Sequence, residues 1–88
     1  METVYLFTSQ TCAPCKVVKP LIEDLKEDFP NFNWQFIDIK NDPKNLAIKY
    51  SINYVPTMIA VVEDKEVGRH SGSVMMGYYT LLKKLRNN

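Results

Sequence analysis

Cys12 and Cys15 are the only cysteines in the chain, and they frame the run Ser9-Gln10-Thr11-Cys12-Ala13-Pro14-Cys15-Lys16. Two thiols at that spacing come within disulfide reach once the turn between them becomes helical. One sulfur can then attack a foreign disulfide while the other resolves the product. A strand-like stretch precedes the pair and a helix-like one follows, which places Cys12 where the unpaired N–H groups of a new helix point. Those groups and the helix dipole stabilise negative charge, and the thiolate is the nucleophilic form of the side chain. Two other uses of such a pair compete. A closed zinc site needs four ligands, and His70 is the only further His or Cys, so zinc would have to bridge two chains. A structural disulfide across so short a loop would remove little unfolded-chain entropy. Redox chemistry is the leading reading, and no metal site is expected.

The elements that must position the pair alternate between strand and helix patterns. Val4-Tyr5-Leu6-Phe7 is a short apolar run that predicts a buried strand. From Pro14 to Asp28, Val17, Val18, Leu21, Ile22 and Leu25 recur at helical spacing opposite Lys16, Lys19, Glu23, Lys26 and Glu27, which predicts an amphipathic helix. Pro20 falls inside it and predicts a kink just beyond the cysteines. Trp34 to Ile39 reads as a strand. Asp42 suits the cap and Pro43 the first turn of a second helix, with Leu46, Ala47 and Tyr50 on its apolar side. Thr57 to Val62 is a strongly apolar strand, Glu63-Asp64-Lys65-Glu66 a hairpin turn, and Val67 to His70 a short strand ended by Gly72. Val74, Tyr78, Leu81, Leu82 and Leu85 mark a final helix. The order is βαβαββα, an α/β chain.

Eighty-eight residues allow one domain with one core, residues 1–88. A hydrophobic content of 45%, with five tyrosines, four phenylalanines and one tryptophan, is ample for a packed interior and argues against disorder. Eleven Lys and Arg against ten Asp and Glu leave a formal charge of +1 with no long single-sign run, so no nucleic-acid footprint is present. No apolar run approaches the roughly 20 residues that cross a bilayer. Met1 is followed at once by Glu2 and a strand pattern, without a basic and apolar leader. A reducing cytosol suits a catalytic dithiol. A cytoplasmic monomer is expected.

With these patterns in place, the chain resembles the thioredoxin superfamily in its minimal, glutaredoxin-sized form. Thr11-Cys12-Ala13-Pro14-Cys15-Lys16 and Tyr54-Val55-Pro56-Thr57 carry the match, and the element order extends it over nearly the whole chain. The resemblance implies a four-stranded mixed sheet with helices on both faces and a cis bond before Pro56. It implies that Pro56 faces the cysteine pair, that the Val55 backbone pairs with a substrate strand, and that Gly72 lies near the site. Catalysis then falls on Cys12 as nucleophile and Cys15 as resolving thiol, and substrate binding on Thr11, Ala13, Pro14, Val55, Pro56 and Gly72. The implied activity is reduction of protein disulfides without a cofactor, a thioredoxin-reductase-like enzyme recharging the Cys12–Cys15 bond. Pro14 resembles the thioredoxin arrangement and points to a reductant, not a strong oxidant.

The departures are equally specific. Thioredoxins place a tryptophan before the first cysteine and a buried aspartate on the preceding strand, which exchanges protons with the second cysteine. Thr11 and Leu6 stand here instead. Asp38 is a candidate substitute, beside the plainer readings of a solvated strand end and of solvent itself. Trp34 is expected well away from the cysteines, and Lys16 and His70 are read as solvated and strand-end residues. Glutaredoxins carry a basic residue, an aromatic and a Gly-Gly-x-Asp type loop where this chain has Thr11, Pro14 and Gly72-Ser73-Val74-Met75, so the glutathione clamp is missing. A glutaredoxin-like, glutathione-dependent reductase and a non-catalytic thioredoxin-fold binding module remain the alternatives. Met75, Met76, Tyr78 and Tyr79 form an apolar cluster that sequence alone does not divide between core and docking surface.

Overall fold

The computed structural model describes residues 2–87. Alternation along its two central strands sets the architecture. β1 (Glu2–Thr8) and β3 (Thr57–Val62) turn Val4, Leu6, Met58 and Ala60 to one face and Phe7, Ile59 and Val61 to the other, all of them buried. Both faces therefore need a cover. β2 (Asn33–Asp38) lies parallel to β1, β3 antiparallel to β1, and β4 (Lys65–Ser71) antiparallel to β3, giving the order β2-β1-β3-β4. This is the four-stranded mixed sheet that the resemblance implies.

Helices supply the covers. On one face α1 (Ala13–Leu25) and α3 (Met75–Arg86) pack Val18, Ile22, Tyr78, Leu81, Leu82 and Leu85, and Phe29 joins the same core. On the other, α2 (Leu46–Lys49) packs Leu46 and the following Tyr50 against Phe7, Ile59 and Val61. The β1–α1–β2 crossover carries the chain from the sheet into the cysteine loop and back, so the dithiol lies at the end of β1 where α1 begins.

Several boundaries differ from the sequence pattern, each for a local reason. α1 ends at Leu25, three residues before the expected Asp28, and tightens into a 3-10 turn at Lys26–Asp28 before Phe29 enters the core. Val17 is 62% and Leu21 43% exposed, because the stripe that one helix lays on a sheet is narrower than the five apolar positions of the pattern. The second helix is a single turn beginning at Leu46, since Asn45 adopts a left-handed conformation at φ 54. Asp42 still serves it, accepting the amides of Leu46 at 3.0 Å and Ala47 at 2.9 Å. The hairpin turn comprises only Glu63 and Asp64, at φ 50 and 68, a left-handed pair that matches strand twist, so Lys65 and Glu66 belong to β4. Val74 precedes α3 in an extended conformation and is exposed.

Candidate active site

β1 delivers the chain into a short loop that Ser9 holds in shape. The buried Ser9 accepts the Cys12 amide on its carbonyl at 3.2 Å and the Thr11 amide on its hydroxyl at 3.3 Å, and its hydroxyl also lies 3.1 Å from that of Thr11. Cys12 is thereby the N-cap of α1, extended at φ −96 and ψ 111, with Pro14 at the helix start, where a missing N–H costs nothing. Its sulfur fills the acceptor role of a cap: the Cys15 amide donates to Cys12 Sγ at 3.3 Å. Both cysteines are free, Cys12 half-buried and Cys15 only 2% exposed. Thr11, Ala13 and Pro14 are exposed around them.

The loop before β3 faces this cap. Its Val55-Pro56 bond is cis. Three successive carbonyls of the loop receive donors of different origin: the Thr57 hydroxyl donates to Tyr54 O at 2.7 Å, the Cys12 thiol to Val55 O at 3.5 Å, and the Gly72 amide to Pro56 O at 3.1 Å. Because the single Thr57 proton is used, the Ser71 hydroxyl 2.7 Å away is the donor to Thr57. Gly72 turns the chain beyond β4 at φ +98, where any side chain strains the backbone. Cys12, Cys15, Val55, Pro56 and Gly72 are thus brought together.

Cys15 turns inward. Burial pushes its thiol up to about 11, its hydrogen bond with Cys12 adds to this, and a backbone hydrogen bond at Ser9 opposes it. Leu6, fully buried on β1, offers no proton acceptor. A cleft of about 430 Å³ reaches Cys15 instead, lined among others by Thr8, Ser9, Gln10, Lys16, Lys19 and Asp38. Asp38 sits opposite Thr8 in the β1–β2 register and fastens the turn after β2 by accepting the Lys40 amide at 2.9 Å. Trp34 pairs with Val4, four positions back along the same strand pair, and donates to Phe29 O at 2.9 Å.

Sequence reasoning leaves two residues of the site unassigned. Ser9 passes for one more polar loop residue. Tyr78 passes for an apolar helix position, although a buried tyrosine needs a partner for its hydroxyl, which is the signal that could have found it. That hydroxyl donates to Gly72 O at 2.5 Å and lies 3.5 Å from Pro56 O. His70 stands edge-on to the Tyr78 ring at 4.5 Å, its Nε2 2.9 Å from Val74 O.

The thioredoxin family model matches residues 2–85. The chain belongs to the thioredoxin family. It is 35% identical to the thioredoxin of Chlamydia trachomatis serovar D over 66 residues, which cover 75% of this chain and 64% of the relative. It is 31% identical to an H-type thioredoxin of Fagopyrum esculentum over 67 residues, 76% of this chain and 57% of the relative. The chain therefore spans less than two thirds of the length of these curated thioredoxins. Among solved structures, the thioredoxin of Fasciola hepatica superposes with a TM-score of 0.86 at 28% identity, covering 94% of this chain and 79% of that one. The thioredoxin of Trypanosoma brucei brucei shares the fold at a TM-score of 0.88 and 24% identity, covering 100% and 77%. These thioredoxins favour the thioredoxin reading over the glutaredoxin-like one. Among the described residues no helix is long and apolar enough to cross a membrane.

Proposed function

We propose that this thioredoxin-family chain is a protein disulfide reductase working through Cys12 and Cys15. One observation carries the reading: the Cys12 sulfur lies between the Cys15 amide and the Val55 carbonyl, so nucleophile, resolving residue and a main-chain edge for a substrate strand converge. Thr11, Ala13, Pro14, Pro56 and Gly72 frame that edge and contact the substrate.

In the reaction, the Cys12 thiolate attacks a substrate disulfide. A Cys12–substrate S–S bond forms, the substrate S–S bond breaks, and one substrate sulfur leaves as a thiolate that takes up a proton. The substrate main chain pairs at Val55 as an added strand. Cys15 then gives up its proton and attacks the Cys12 sulfur, forming the Cys12–Cys15 disulfide and releasing the second substrate thiol. Two electrons pass from the dithiol to the substrate. A thioredoxin-reductase-like enzyme returns them, which makes the chain an electron carrier in cell redox homeostasis, acting in the cytoplasm as a single-domain monomer without a bound cofactor.

The test is a trapped intermediate. Cys15→Ser, incubated with a disulfide-bonded protein such as insulin, is to accumulate a covalent adduct that dithiothreitol releases, whereas Cys12→Ser is to form none. No adduct with Cys15→Ser, or equal adducts with both, sinks the reading and leaves the non-catalytic binding module in its place.

A further inference from the structure

Tyr78 is fully buried, and its hydroxyl reaches two loops that frame the dithiol at once: Gly72 O at 2.5 Å and Pro56 O at 3.5 Å. The same two loops also bind each other through the Gly72 amide and Pro56 O at 3.1 Å. His70 packs edge-on against the ring at 4.5 Å and is itself held 2.9 Å from Val74 O, so the ring is fixed from β4 as well. Burial, followed by the negative charge of the two cysteines, pushes the phenol up to about 12, so it remains a donor wherever the dithiol works.

We infer that Tyr78 is a positioning residue for the substrate platform, fastening the Gly72 turn against Pro56 and so holding the adjoining Val55 backbone where a substrate strand docks. This rests on the reductase reading above and adds to it a residue from α3 that acts only through Gly72 and Pro56. Without the hydroxyl, Gly72 O loses its donor and the loop joining Tyr54 to Pro56 loses one of its ties. Substrate binding must then order a platform that is otherwise ordered in advance. The competent fraction falls, and apparent affinity falls with it.

Tyr78→Phe tests this, because it keeps the ring and removes only the hydroxyl. With insulin as substrate, KM is to rise about threefold to tenfold, the range of one lost hydrogen bond, while kcat stays within about twofold. Ile22→Val, a mild loss in the core under α1 and away from the platform loop, controls for general destabilisation and is to move neither. Independently of turnover, amide exchange at Gly72 is to quicken in Tyr78→Phe by a similar factor while exchange at Ile59 holds. An unchanged KM in Tyr78→Phe, or the same rise in Ile22→Val, overturns the positioning role alone. A wild-type chain that leaves insulin unreduced removes the reductase reading and this role with it.

Discussion

The Cys15 amide donates to the Cys12 sulfur at 3.3 Å, so in the proposed exchange the residue that would resolve the mixed disulfide also steadies the nucleophile that would make it. The two jobs use different atoms: the backbone N–H for the first step and the thiol for the second. Cys15→Ser keeps the N–H and removes the thiol. It is therefore expected to form the mixed disulfide within about threefold of the wild-type rate, since loss of the amide bond itself would cost a factor nearer ten. Single-turnover quenching of the first step measures this. A slowing beyond tenfold would mean that the Cys15 sulfur, not its amide, supports Cys12.

The resolving step has a different sensitivity. With the Cys15 thiol pushed up to about 11 by burial, the second sulfur starts protonated at neutral pH. Leu6 supplies no base beneath it, and Asp38 lines the adjoining cleft with one carboxylate oxygen occupied by the Lys40 amide. On this arrangement solvent in the cleft is expected to receive the proton. The rate of mixed-disulfide resolution should thus rise steadily with pH above neutrality, following the thiolate fraction. Asp38→Asn should lower it by less than about threefold. A plateau below pH 8, seen by acid quench and mass, would reveal a base close to the thiol.

Cys15 also links stability to alkali. Its thiol moves from an ordinary value near 9 to about 11 in the folded chain, so between those limits the unfolded chain has lost a proton that the folded chain keeps. Fewer protons on the unfolded state means that stability falls as pH rises. The contribution is whole below pH 9 and gone by about pH 11. Urea unfolding of the reduced protein at pH 8 to 11 should show that loss relative to Cys15→Ser. Parallel pH profiles for the two proteins would contradict it.

What is legible in the sequence divides along physical lines. Cys12, Cys15 and the Val55-Pro56 pair stand out because their chemistry is rare and their spacing local, and the sheet stands out because Val4–Phe7 and Met58–Val61 are apolar on both faces. The left-handed Asn45 that shortens α2 leaves no trace in an apolar pattern, and Asp42 caps the shortened helix as readily as a longer one. Val17 and Leu21 read as core because periodicity reports which side of a helix is apolar, not how much of that side a sheet covers. Tyr78 reads as core and is core. Its role depends on carbonyls of Gly72 and Pro56, 6 and 22 positions away, and a backbone acceptor has no residue type to announce it.

Gly77 offers a test of how tightly His70 is seated. It lies in the first turn of α3, where helix propensity alone favours alanine over glycine by up to about 1 kcal/mol. A Cβ at that position, however, would run into the His70 imidazole. Moving the ring forfeits its hydrogen bond to Val74 O and its edge contact with Tyr78, each worth about 1 kcal/mol. Two such losses outweigh the propensity gain, so Gly77→Ala should destabilise the chain by about 1 kcal/mol. In a His70→Ala background the obstacle is gone, and the same substitution should stabilise it by up to about 1 kcal/mol. Chemical unfolding of the four proteins closes the cycle. Equal effects in both backgrounds would show that the ring yields freely, and the tie between β4 and Tyr78 would then be loose.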